Sequence, residues 1–276
     1  MTTAAAIAVV LLVLAVTNVG VHVGPRLGPW LGSGLVIGGV HLLTGPLAAL
    51  FLLLIGRAAG LTWPELGLGR QALLRGLQVG ALAAGAVAVG YAVGIAIPFT
   101  RLAFRDTRYR LGMGAALYIS LVAIPLGTVL FEEVAFRGVL WGLLGRGFGM
   151  ATATVVSAAL FGLWHVLPAL ELARTHTSVR GPGTAGRRRV TLTVLATMAF
   201  TTVAGIVFAE LRRRTGSLLA PMGLHWATNG LGVMASARVW AMSPGEVASP
   251  DVPPQGGAAT YPSWQRIVRR LRSGRP

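Results

Sequence analysis

Glu132 and Glu133 stand side by side in a strongly apolar stretch, with Arg137 four residues after the second of them. Downstream, His165 ends the run Phe161-Gly162-Leu163-Trp164-His165, and His225 is followed four residues later by Asn229. Ionisable side chains inside apolar helices are expensive, so each marks a candidate functional site. Together they hold the parts of a hydrolytic centre. A carboxylate can take a proton from water, an imidazole can carry one, and a carboxamide can donate to a developing oxyanion.

Spacing divides the roles. Adjacent residues on a helix point about 100° apart, so Glu132 and Glu133 face different neighbours. Glu133 and Arg137 have the i,i+4 spacing of a local ion pair. Glu132, among Leu130, Phe131 and Phe136, is then the carboxylate left to act as a base. The sequence midpoint of Glu132 and His165 falls in Gly145-Arg146-Gly147-Phe148-Gly149, a strong turn signal. An antiparallel hairpin turning there sets both residues at one depth, about 25 Å from the turn. His225 and Asn229, also i,i+4, share a helix face, with His225 about 13 Å past the turn at Gly216. Each group has a plain structural reading: a solvated helix end, a core histidine, an interhelical amide. The matched depth favours chemistry.

The other polar residues look less useful. His22 and His41 read as isolated packing or interfacial groups, and His176 as a loop residue. Glu65 reads as an interfacial helix start, with Trp63 at headgroup level. Asp106, Glu171, Glu210, Glu246 and Asp251 fall in loops or at span ends.

What must position the candidates is a membrane bundle. Of 276 residues 54% are hydrophobic and 12% charged, with a mean hydropathy of +0.70. Soluble domains carry about 25% charged residues. The expected fold is all-α, a polytopic membrane bundle of about seven to eight transmembrane helices, each span taking about 20 residues. Candidate spans are 4–23, 34–55, 76–98, 112–131, 150–168, 190–211 and 218–239, while 134–144 is too short to cross alone. The membrane domain covers 1–240, with the site motifs inside 125–232. Residues 241–276, Pro/Gly-rich and then Arg-rich, form a disordered tail, and Trp264–Leu271 suits a short helix on an anionic membrane. The run from Ala4 to Val16 has no basic residue before it, so it reads as a first membrane helix and not a signal peptide. Gly34/Gly38, Gly90/Gly94 and Gly138/Gly142 have the small-xxx-small spacing of close helix packing.

The net charge is +16, and every basic residue is Arg. The arginines lie between apolar runs, which points to anionic lipid and membrane orientation, not to nucleic acid. Their bias places the C-terminus in the cytoplasm. The absence of Cys excludes thiolate chemistry and disulfides. There is no H-E-x-x-H, no G-x-S-x-G and no phosphate loop. Asp106 and Asp251 both lie outside the spans, so an intramembrane aspartyl dyad is excluded.

Glu132-Glu133-Val134-Ala135-Phe136-Arg137-Gly138, Phe161-x-x-x-His165 and His225-x-x-x-Asn229 resemble the three-motif signature of the CPBP family, the CAAX-protease and bacteriocin-processing membrane proteins. The resemblance covers about residues 125–232. It implies an intramembrane endopeptidase in which Glu132 and His165 activate water and His225 and Asn229 hold the oxyanion. Glu133 and Arg137 would steady the motif helix. Members have also been called metalloproteases, and Glu132, His165 and His225 could supply three ligands to zinc, leaving a position for water. Asn229 beside His225 favours the metal-free form, which needs no cofactor. The composition suggests a bacterial plasma membrane, with a membrane-anchored peptide or protein as substrate. The rival readings are a non-catalytic scaffold or bacteriocin-immunity protein that keeps these residues as a polar network, and a transporter using Glu132 as a proton site. The transporter lacks the inverted repeats common in that class.

Overall fold

The computed structural model describes residues 1–22, 34–175 and 183–242. The 243–276 tail with its Trp264–Leu271 helix, His176, and the side chains of His41 and the Gly34/Gly38 pair lie outside the described residues. The eight described helices are α1 (Thr3–His22), α2 (Gly34–Ala58), α3 (Arg70–Ala96) and α4 (Met113–Phe148), followed by α5 (Met150–Trp164), α6 (Val166–Thr175), α7 (Gly183–Thr215) and α8 (219–241). There is no strand among the described residues, only an antiparallel bridge from Leu68 to Ser217.

The chain is an all-α membrane bundle. Five described stretches are long and apolar enough to cross a membrane: α1, α3, α4, Met150–Ala173 across α5 and α6, and Thr184–Thr215 within α7. α2 adds the shorter apolar stretch Leu42–Ala58. The Met1 amino group meets the Ala58 carbonyl at 3.4 Å, and His22 meets Glu171 at 2.9 Å, so α1 pairs its start with the end of α2 and its end with α6. His22 is therefore partnered by Glu171, and is not the isolated group that its sequence position suggested.

The separate segments 112–131 and 134–144 are one helix. Pro125 sits inside it and lacks the N–H that the next turn back needs. The helix stays unbroken by widening to π geometry over Ile119–Val129, where the Leu130 N–H reaches the Pro125 carbonyl five residues back. A second π stretch covers Val134–Leu140, and a third, in α8, covers Ala227–Leu231. Such widenings gather at functional sites. Here they flank Glu132 and Glu133 on both sides and enclose Asn229.

One end of the bundle is closed by a packed loop. Residues 62–67 form a turn and not the helix start expected at Glu65; α3 begins only at Arg70. The Thr62 N–H and hydroxyl both donate to Glu65 Oε2 at 2.7 Å, and Arg146 clasps both carboxylate oxygens at 2.6 and 2.7 Å. Arg146 and Thr62 hold the Glu65 carboxyl down to about 2. Leu61, Leu66 and Leu218 are fully buried beneath this turn. Gly67, at φ 81°, lets the Arg212 side chain pass and donate to the Pro64 and Glu65 carbonyls at 3.0 and 2.9 Å. Gly138 and Gly142 face Leu66, Leu61 and the Glu65 carbonyl, so that pair admits the loop, whereas Gly90 faces open space.

α3 and α8 touch backbone to backbone. A β-carbon on Gly223 would fall 2.7 Å from the Gly80 Cα. A shift of α8 at this contact would carry along His225, two residues on. Gly223→Val is expected to cost about 1–3 kcal/mol by overpacking, read as a lower Tm in detergent.

Candidate active site

Glu133 is the hub. It is fully buried, and its Oε1 accepts from Arg137 Nη1 at 3.1 Å and lies 2.8 Å from His225 Nδ1. The first contact is the i,i+4 pair that the sequence predicts. The second joins α4 to α8 across 92 residues and was not foreseen. Because a carboxylate only accepts, His225 carries its proton on Nδ1, which turns Nε2 outward. That Nε2 stands 3.8 Å from Glu132 Oε2, beyond direct hydrogen bonding. Both carboxylates thus address one imidazole, one by a hydrogen bond and one across a gap.

Glu132 is 6% exposed. Its Oε1 accepts the Trp164 indole N–H at 3.0 Å, and its Oε2 has no hydrogen-bond partner. This bond verifies the hairpin. α4 ends at Phe148, Gly149 turns with φ 84°, and α5 begins at Met150, so Glu132 comes level with Trp164 beside His165. An indole on an apolar helix needs an acceptor for its N–H where water is scarce, and that requirement is the sequence signal that marks the half-buried Trp164 as part of the site.

His165 lies where α5 breaks, with φ −82° and ψ 2°. Its Nδ1 is 2.8 Å from the Phe161 carbonyl, which can only accept, so Nδ1 carries the proton and Nε2 keeps a lone pair. The ring is half-buried and packs edge-on against Phe161, with centroids 4.6 Å apart. Phe161 also meets the His225 ring edge-on at 5.9 Å, so it stands against both imidazoles. His225 stacks on Phe208 of α7 at 5.0 Å.

Arg137 is fully buried in an aromatic cage. Its guanidinium carbon lies 4.0 Å from the Phe161 ring centroid, 4.9 Å from Phe208 and 5.7 Å from Phe136. Nε and Nη2 have no hydrogen-bond partner, so the rings and the Glu133 charge supply its stabilisation. The same phenyl rings that hold Arg137 also wall the imidazoles, which ties ion-pair geometry to imidazole geometry.

Asn229 is exposed. Over Ala227–Leu231 the helix bonds in π fashion, where i and i+4 no longer stack as on an α-helix. Gly230, buried, is the residue that faces Ser120 on α4, with a β-carbon there 2.8 Å from the Ser120 hydroxyl. The Thr228 hydroxyl, next to Asn229, donates to the His225 carbonyl at 2.9 Å.

The residues do not fit a three-ligand zinc cradle. Among the described residues no group of three His, Cys, Asp or Glu side chains converges on a metal position. With His225 Nδ1 on Glu133, His165 Nδ1 on the Phe161 carbonyl and Glu132 Oε1 on Trp164, the atoms left to bind a metal are His225 Nε2, His165 Nε2 and Glu132 Oε2, and the three do not converge on one position. The nearest pair, His225 Nε2 and Glu132 Oε2, gives two donors only.

No curated protein matches the chain, and no solved structure matches it. The family described as Type II CAAX prenyl endopeptidase Rce1-like matches residues 114–231, a stretch that contains Glu132, Glu133, Arg137, His165, His225 and Asn229. The match agrees with the resemblance carried by the three sequence motifs. The segment that builds this site thus matches the Rce1-like type II CAAX prenyl endopeptidase family, and that match supports an intramembrane protease.

Proposed function

We propose that the chain hydrolyses peptide bonds of a membrane-anchored peptide or protein with a water activated by Glu132 and His165. The observation that carries this reading is the pair of unspent basic positions within the membrane: Glu132 Oε2, without a hydrogen-bond partner, and His165 Nε2, left with a lone pair. Glu132 takes a proton from the water as its oxygen attacks the scissile carbonyl, and the protonated Glu132 then gives that proton to the amine nitrogen as the tetrahedral intermediate collapses and the C–N bond breaks. His225, steadied by Glu133 and Arg137, donates to the oxyanion through Nε2 in its doubly protonated form, with Asn229 as the second donor. No step requires a metal, in keeping with the poor fit of the donor set. The arginine-rich ends contact anionic lipid, and the C-terminus faces the cytoplasm of a bacterial plasma membrane.

The test is cleavage of a fluorogenic peptide set with lipidated members, in proteoliposomes, with and without a chelator. Cleavage is expected from wild type and to survive the chelator. His165→Ala is expected to lose about 10²–10⁴-fold, the range of a positioned acid–base group. Chelator-sensitive cleavage would overturn the metal-free mechanism, and a fully active His165→Ala protein would remove His165 from it.

A further inference from the structure

Pro168 leaves a defect in the helix that carries the site, and the first helix of the chain repairs it. In an unbroken helix the Trp164 carbonyl would accept from the backbone N–H four residues on. That residue is Pro168, which has no N–H and whose ring crowds the carbonyl. The helix breaks accordingly: the His165 N–H turns back to the Gly162 carbonyl at 3.1 Å, and α6 starts at Val166. The Trp164 carbonyl instead accepts from Asn18 Nδ2 of α1, at 2.9 Å.

An asparagine inside an apolar span is costly and needs a reason. Asn18 Oδ1 is buried without a hydrogen-bond partner, so the donated bond to Trp164 is what the amide contributes here. One turn along α1, His22 Nδ1 meets Glu171 Oε2 of α6 at 2.9 Å. α1 therefore grips the chain on both sides of His165. Two side chains of the site hang from the backbone between these grips: the Trp164 indole on Glu132, and the His165 ring on the Phe161 carbonyl. α1 lies wholly outside the segment that matches the family.

We propose that Asn18 is a positioning residue for the site. It substitutes for the N–H that Pro168 lacks, and through the Trp164 carbonyl it sets the orientation of His165 and of the indole that holds Glu132. The catalytic consequence rests on the peptidase reading; the hydrogen bond and its effect on the His165 ring do not.

The test compares the full chain in lipid nanodiscs as wild type, Asn18→Leu, Pro168→Ala and the double variant. Asn18→Leu is expected to lower kcat by about 10–100-fold, the cost of a slightly misplaced catalytic group, with KM little changed. Pro168→Ala restores a backbone donor at position 168, so adding Asn18→Leu to it is expected to change kcat little. Equal losses in both backgrounds would overturn the proposal. Should Pro168→Ala fail to insert, Asn18→Gln is the second comparison, because it keeps the donor. It is expected to retain more kcat than Asn18→Leu, and equal losses count against Asn18. An activity-free readout is the ¹⁵N resonance of His165 in histidine-labelled protein, assigned with His165→Asn. Asn18→Leu is expected to shift its tautomer balance, and an unchanged resonance refutes the positioning role. If wild type cleaves no peptide, the peptidase reading fails while this resonance still decides the role of Asn18.

Discussion

Glu132→Gln is expected to lower peptide cleavage by about 10²–10⁴-fold, the contribution of a general base, with little effect on folding. The substitution is nearly isosteric. Its amide oxygen can still accept the Trp164 indole N–H, the one hydrogen bond that Glu132 makes at 3.0 Å. Its amide nitrogen would replace Oε2, an atom with no hydrogen-bond partner, so no hydrogen bond is broken and only the 3.8 Å approach to His225 Nε2 changes character. What disappears is the charge and the lone pair able to take a proton from water. Glu132→Ala is a poorer probe, since it also removes the acceptor of the half-buried Trp164 indole. The measurement pairs initial cleavage rates in proteoliposomes with Tm in detergent. A Glu132→Gln protein that cleaves at the wild-type rate would falsify Glu132 as the base. One that is inactive and fails to fold would show that the carboxylate is structural, as the scaffold reading holds.

The hairpin that brings the site together was legible in the sequence because it obeys local rules. A glycine cluster at 145–149 marks a turn, and a regular rise converts equal residue counts into equal depth. The structure turns at Gly149, and Glu132 comes level with Trp164, one residue from the expected His165. That residue of difference has a local cause: Pro168 stops the helix, so His165 takes a capping conformation and its ring folds back on Phe161. The Glu133–Arg137 pair was legible for a similar reason, since both partners sit on one helix.

What was not legible depends on rotation of one helix against another. The His225–Glu133 bond requires α8 to face α4 at a particular angle, which the Gly80–Gly223 contact and the Phe208 stack help to set. No periodicity within α8 carries that angle. The π stretches were equally hidden. They let 112–131 and 134–144 run on as one helix, and they alter the i,i+4 relation of His225 to Asn229 on which the shared face was argued. At Glu65, where a helix start was expected, the Thr62-x-x-Glu65 spacing of a capping box occurs with no helix following it. Here the box closes on itself, and Arg146, 81 residues away, takes the remaining carboxylate capacity.

Arg137→Met is expected to destabilise the protein by about 3–5 kcal/mol, the cost of removing one partner of a buried ion pair. Both side chains of the pair are fully buried, so no water can take over the Glu133 charge. Loss of the guanidinium would leave two adjacent buried carboxylates beside one imidazole, with Phe136, Phe161 and Phe208 deprived of the cation they surround. Arg137→Lys keeps the charge but loses the planar face that lies on those rings, so an intermediate loss is expected. The decisive comparison is Arg137→Met with Glu133→Leu. Removing both charges should recover much of the stability, because apolar replacements of a buried pair are often neutral. It should not recover cleavage, because His225 Nδ1 then has no carboxylate to orient it. Tm and proteoliposome activity measured on the three variants separate the two effects. Wild-type Tm in Arg137→Met would mean that the pair carries no stability, while restored cleavage in the double variant would mean that Glu133 does not orient His225. Stability recovered without activity would identify the buried pair as a device retained for the geometry of the imidazole, at a desolvation cost that a purely structural helix contact would not justify.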